Sequence, residues 1–531
     1  MTGQHFLDAR TGAHAYEHDA DASPPHVFYV TVDMIPREAW HPDSPMREHL
    51  QTPNIDRLMA DGATFSHACC TSPLCGPSRA ATLTGRYSYL LVNEERAHDG
   101  MEVLLRADDA IFPEYLRDSG WVTKHAGKCH VGAHKFIDAF GEADDAWDRW
   151  APPLTDDDGY LRYLRELGVR PPVWPDPVRG ARPGGDPGNN YGGWITQEGG
   201  AQFPEEATYS QYLAWLAGER LESALYQRRE TGAPIYLQLD FFAPHQPFLV
   251  PESYRDRAGQ LEAHVELPES YHRAVAGEVE GLPRVYEFYR RNWGLDDPEA
   301  ARQYMLMNFL QIEALDAALG RFLGALDRHG LYDESLVILS ADHGEMNCEL
   351  ALVDKGVYAC PKTAQVPLVA KLPGGEAAGT LHDGLVSLLD IAPTVLEVAG
   401  VETDTRLDGE SLLPLIRGER ARRERPFIFE AGWHVAPNPA VAYFAEIEGR
   451  FLMYTYNLTS DFDELYDLDA RPMENVARDE AMADVKREMI RRLGQFLQAD
   501  ARWDCYWHTF RLDKYELLEL DGGDFQMFRP E

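Results

Sequence analysis

Basic residues are scarce in this chain. Its 531 residues include 50 Lys and Arg against 87 Asp and Glu, a formal charge of −37 at pH 7. Such a field repels nucleic acid and anionic membrane surfaces, so neither is expected as a partner. It also sets a condition on any anionic substrate: the few cations beside its site must supply the local attraction. Long apolar runs are missing too. No stretch of roughly 18 apolar residues occurs, so no transmembrane helix is expected. The opening Met-Thr-Gly-Gln-His-Phe-Leu-Asp-Ala-Arg lacks the basic and apolar regions of a secretory signal. Cysteine is sparse, and its seven positions (69, 70, 75, 129, 348, 360 and 505) are odd in number and irregularly spaced. That pattern fits a reducing compartment better than a disulfide framework, and a cytoplasmic location is the expectation.

What is present reads as a large α/β protein. Residues 1–25 are polar and without period, a loose N-terminal arm. His26 to Asp33 is a near-continuous β-branched and aromatic run, the pattern of a strand buried on both faces of a parallel sheet, and it ends in a carboxylate. Thr52 to Met59 reads as a helix with Pro53 in its first turn, stopped by Gly62. Trp121 to His125, Ile235 to Asp240 and Leu336 to Ala341 are further strands, and a long helix covers Gln303 to His329. Strands alternating with helices predict a large, mostly parallel central sheet flanked by helices over residues 26–420. A smaller α+β subdomain follows over 421–531, with strands at Pro426 to Phe429, Val441 to Ile447 and Phe451 to Tyr456 and a helix from Ala481 to Asp500. Between 150 and 200 the composition shifts to Pro, Gly, Asp and Trp, which predicts an inserted loop region whose aromatics either stack on a substrate or simply pack.

The run Cys75-Gly76-Pro77-Ser78-Arg79-Ala80-Ala81-Thr82-Leu83-Thr84-Gly85-Arg86 places a thiol at or near a helix N-terminus, where the macrodipole favours anions. Taken alone, Cys75 is equally readable as a small packed residue. Asp33 ends one strand and Asp342 follows another, the edge at which open α/β sheets place their sites. Two carboxylates with the imidazole of His343 suit a hard or borderline divalent ion such as calcium, magnesium or manganese.

The Cys75 run resembles the signature of the type I sulfatases of the alkaline phosphatase superfamily, Cys-x-Pro-Ser-Arg-x-x-x-Leu-Thr-Gly-Arg, at every defined position. Ser340-Ala341-Asp342-His343-Gly344-Glu345 is similar to that family's Ser-Asp-His-Gly-Glu, with Ala341 inserted. Gly127-Lys128-Cys129-His130-Val131-Gly132, Pro244-His245-Gln246-Pro247-Phe248, and Lys355 with its spacing to Val366-Pro367-Leu368 resemble three more elements. With Glu464-Leu465-Tyr466-Asp467-Leu468, the resemblance spans about residues 26–500.

The resemblance implies that a separate formylglycine-generating enzyme oxidises Cys75 to Cα-formylglycine. One hydroxyl of the hydrated aldehyde, activated by a divalent metal, attacks sulfur, and loss of the second hydroxyl's proton then releases sulfate. It implies one metal ion, calcium before manganese or magnesium, held by Asp33, Asp342, His343 and the modified Cys75. Arg79, Lys128, His130, His245 and Lys355 then surround the sulfate, and His245 protonates the leaving alcohol with an ordinary imidazole pKa near 6.5.

Some positions depart from the pattern. Met34 stands where the family carries a polar ligand, and a thioether is a poor ligand for a hard cation. Either the site has fewer protein ligands or Glu38 or Glu345 substitutes. Pro361-Lys362, Gln365 and Leu350 replace a usual Glu-Glu, Arg and His, and are expected to affect substrate choice. Three readings follow: a sulfatase acting on a small-molecule or saccharide sulfate ester, a phosphonate monoester or phosphodiester hydrolase with the same nucleophile, and an anion-binding protein whose Cys75 stays a thiol.

Overall fold

The computed structural model describes residues 24–88, 105–141, 146–182, 184–458 and 462–518. The predicted arm over 1–25 lies, up to residue 23, outside the described residues. The run His26–Asp33 forms the strand expected of it, with all eight residues buried. Ile235–Pro244 and Ser335–Ala341 pair with it in parallel, one on each side. Beyond the first lie Val122–Lys128 and Ala146–Trp147, both parallel. Beyond the second comes the antiparallel Leu368–Lys371, then Ala63–Cys69 and Thr380–Ser387, completing eight strands. The mostly parallel α/β sheet predicted from the alternation of strand and helix is therefore what forms.

Covered faces explain why these strands are apolar throughout. The helices Tyr209–Thr231 and Pro298–Arg328 pack on each other and on the sheet. The second begins five residues before the sequence reading placed it, because Asp297 caps it by accepting from Glu299 N and Pro298 supplies a preformed first turn. A separate antiparallel sheet of Ile428–Trp433, Pro437–Ile447, Arg450–Asn457 and Glu464–Asp467 follows, with the helices Ala483–Gln498 and Asp504–Asp513.

The segment read as loop between 150 and 200 is largely regular. Asp157 caps the helix Asp158–Leu167 by accepting from Tyr160 N. Pro172–Val173, Val178–Ala181 and Pro187–Gln197 then form a small sheet joined by Phe248–Pro251. Glycine there marks close strand approach rather than loop: a Cβ at Gly192, whose φ is +79°, would lie 2.3 Å from Phe248 N.

Candidate active site

The parallel strands deliver their functional residues at one edge. Asp33 and Lys128 end their strands, Asp240 lies near the end of its own, and Asp342 follows Ala341 directly. Into this edge points the helix Cys75–Thr84, every residue of which is buried. Asp33, Cys75, Asp342 and His343 each offer one ligand atom, and these atoms lie within 4.8 Å of one another. Cys75 Sγ is 3.1 Å from His343 Nε2 and 3.7 Å from Asp33 Oδ1. His343 Nδ1 lies 2.9 Å from Gly344 O, which fixes the ring and turns Nε2 to the centre.

Asp342 Oδ1 accepts the N–H groups of His343 at 2.9 Å and Met34 at 3.1 Å. Burial and the charge of Asp342 push Asp33 up to about 7, against the pull of Lys128 and Arg79. Burial alone would raise the Cys75 thiol, but Lys128, Lys355 and His343 outweigh it and hold it well below its ordinary value. Two carboxylates, an imidazole and the side chain of residue 75 in one dry cluster fit a divalent metal by donor chemistry.

The basic groups close around this centre. Arg79 Nε donates to Asp342 Oδ2 at 2.8 Å and its Nη1 to Asp240 Oδ1 at 3.1 Å, so the guanidinium braces the carboxylates from below. Lys128 Nζ pairs with Asp33 Oδ2 and reaches Trp150 O at 3.3 Å. His130, held at a φ of 55°, hydrogen-bonds Cys75. Lys355 Nζ donates to His245 Nε2 at 2.5 Å and to Asp354 Oδ1 at 3.0 Å. Asp33, Cys75, Arg79, Lys128, His130, His245, Asp342, His343 and Lys355 thus lie in or beside the cluster.

One electrostatic expectation changes. His245 does not keep an ordinary imidazole pKa: burial and then Lys355 lower it to about 3. Its Nδ1–H donates to Gln246 O at 2.6 Å, leaving the Nε2 lone pair for Lys355. At rest the proton of this pair therefore sits on lysine.

Met34 is fully buried at a φ of 56°, with its Sδ 3.9 Å from Lys355 Nζ. Neither proposed replacement ligand joins the cluster. Glu38 pairs with Lys362, and Glu345 Oε1 accepts from Tyr304 Oη and from the N–H groups of Asn347 and Asp354. The candidate ligand set is the smaller one, Asp33, Cys75, Asp342 and His343.

Sequence reasoning missed three residues here. Asp240, which also accepts from His125 Nε2 at 2.9 Å and Gln238 Nε2 at 2.7 Å, sits inside a strand that stays buried to Pro244, a carboxylate within an apolar run that itself called for a partner. Asp354 adjoins Lys355. His434 carries no local signal, yet Lys355, Asp354, Cys75 and His343 all act on it electrostatically.

A mostly parallel α/β sheet carrying a buried candidate metal site beside Cys75 at one edge fits a hydrolase of the alkaline phosphatase superfamily. The chain belongs to the sulfatase family, the sulfuric ester hydrolases of that superfamily: the Sulfatase model matches residues 25–401, and the model for the C-terminal part of N-sulphoglucosamine sulphohydrolase matches 349–499. Among its relatives, the choline-sulfatase of Rhizobium meliloti is 26% identical over 85% of this chain and 81% of that protein. The N-acetylglucosamine-6-O-sulfatase of Bacteroides thetaiotaomicron is 23% identical over 84% of this chain and 81% of that protein. Among solved structures, the phosphonate monoester hydrolase of Agrobacterium radiobacter superposes with a TM-score of 0.67 at 20% identity, covering 88% of this chain and 94% of that one, which supports the fold.

Proposed function

We propose that this sulfatase cleaves the sulfate monoester of a small alcohol or saccharide with a Cα-formylglycine made from Cys75 as nucleophile. The observation that carries this is the placement of the Cys75 side chain, at the first turn of a buried helix, between Asp33 and His343. The intact Cys-x-Pro-x-Arg run supports its conversion by a formylglycine-generating enzyme. Asp33, Asp342, His343 and residue 75 would hold a divalent ion, calcium by the oxygen-rich donor set, which would polarise the nucleophile and a sulfate oxygen.

The chain's own groups supply the rest. Lys128 and Lys355 place two cations against charge developing on the sulfuryl group, in a site dry enough for those charges to count. They also answer the repulsion of the acidic surface. His245 and Lys355 share the proton that the leaving alcohol needs. An anion bound beside Lys355 would offset that lysine's pull on His245 and raise the imidazole's pKa, while burial, the larger cause, continues to hold it down. The cytoplasmic reading rests on the odd, irregular cysteine pattern.

The second reading is a phosphonate monoester or phosphodiester. A tetrahedral anion of phosphorus fits the same cluster, and an Asp-His metal pair without a second Asp, as Met34 leaves it, is compatible with that chemistry. Parallel assays on an aryl sulfate and an aryl phosphonate monoester separate the two. Faster sulfate turnover is expected, and equal or faster phosphonate turnover would overturn the main reading.

A further inference from the structure

Four residues of the active site close a ring of hydrogen bonds. His245 Nδ1–H donates to Gln246 O at 2.6 Å, and the side-chain Nε2 of the same Gln246 donates to Asp354 Oδ2. Asp354 Oδ1 accepts Lys355 Nζ at 3.0 Å, and Lys355 Nζ returns to His245 Nε2 at 2.5 Å. Gln246 enters the ring through its backbone on one side and its side chain on the other. All four residues are buried, none more than 6% exposed.

Both halves of the ring are pinned from outside it. Gln311, on the helix Pro298–Arg328, donates from Nε2 to His245 O at 3.2 Å and accepts Leu249 N on Oε1 at 2.5 Å, which fixes the turn carrying His245 and Gln246. Asp354 holds a φ of 62°, a conformation a residue with a side chain keeps where its surroundings over-determine it. Here its N–H donates to Glu345 Oε1 at 2.6 Å and its carbonyl accepts Met346 N at 3.1 Å. A carboxylate only accepts, so the Gln246 amide presents its NH2 to Asp354. Without that donor Asp354 Oδ2 is released, and the carboxylate that aims Lys355 is free to turn.

We propose that Gln246 is a positioning residue for the leaving-group proton: its amide locks Asp354, and through it Lys355 and His245, so that one proton of this pair meets the oxygen of the departing alcohol. This rests on the sulfatase reading and adds the residue that holds the proton donor in place. As the sulfur–oxygen bond breaks, its electron pair stays on the alcohol oxygen and that oxygen takes one proton from the pair. Ammonium and neutral imidazole become amine and neutral imidazole.

Leaving groups differ in how much they need that proton. A nitrophenolate departs as the anion, whereas the more basic oxygen of phenol gains from protonation as it leaves. The test therefore compares phenyl sulfate with nitrophenyl sulfate on the full-length, metal-loaded enzyme. Gln246→Met keeps the length of the side chain and removes its donor. Gln246→Asn keeps the amide but withdraws it by one methylene, and it carries the comparison if the methionine variant fails to fold. Each should lose about tenfold or more in kcat on phenyl sulfate and less than about threefold on nitrophenyl sulfate, with KM little changed on either. In an Asp354→Asn background the same change should cost less than about threefold on phenyl sulfate, because Gln246 acts through Asp354. Equal losses on the two esters, no loss on phenyl sulfate, or losses that multiply in the double variant would overturn the proposal. If the wild type cleaves no sulfate ester, the sulfatase reading fails on its own, and the phenyl and nitrophenyl esters of a phosphonate decide the role of Gln246 by the same ratio. Turnover of neither series, or of nitrophenyl esters alone, overturns it.

Discussion

The Sγ of Cys75 lies 3.1 Å from Nε2 of His343, across 268 residues of sequence. The contact joins the first residue of one helix to the turn after one strand, with Asp33 from a neighbouring strand beside them.

Asp342 holds the Met34 and His343 N–H groups on one oxygen and Arg79 on the other. Asp342→Asn keeps the shape and removes the charge. Metal analysis after dialysis should show affinity reduced by about tenfold or more. Unchanged metal content would remove Asp342 from the ligand set.

Asp354 aims Lys355: its Oδ1 accepts Lys355 Nζ at 3.0 Å and Lys355 N at 2.7 Å, while Oδ2 takes Gln246 Nε2. Asp354→Asn should lower kcat about 10- to 100-fold with little change in KM, and should shift the pH profile of kcat as the Lys355–His245 pair is retuned. Loss confined to thermal stability would make Asp354 a structural residue only.

Glu464 tests the electrostatics away from the site. Burial pushes it up to about 7, against hydrogen bonds from Tyr466, Asn457 and Tyr286. Its folded pKa stands above the ordinary 4.5, so its stabilising contribution is complete below that pH and is lost as pH rises through about 7. Urea unfolding should show Glu464→Gln gaining on wild type by on the order of 3 kcal/mol across this window. A constant gap between the two proteins would contradict the shift.

Much of this was legible in the sequence because its signals were physical and local. His26 to Asp33 reads as a doubly buried strand whatever its neighbours, and the Cys75 run carries its own spacing. Leu368–Lys371 escaped notice, since four residues give no period to read. The region 150–200 misled because glycine serves loops and close strand crossings alike, and only the packing on Phe248 tells them apart. Met34 marked a departure from the family's pattern, but that neither Glu38 nor Glu345 joins the cluster depends on Lys362 and Tyr304, partners supplied by distant segments. The depressed pKa of His245 and the place of His434 are tertiary effects too. Both imidazoles are depressed by burial first and then by Lys355, which neither residue neighbours in sequence.

The central claim is that the acting group at position 75 is no longer cysteine. Cys75→Ala should fold as wild type does and turn over below about a thousandth of its rate, but the identity of the group is read by mass. In protein made by a host that has the modifying enzyme, the peptide bearing residue 75 should be lighter than the cysteine peptide by the difference between a CH2SH and a CHO group. An unmodified thiol in a fully active preparation would contradict the account.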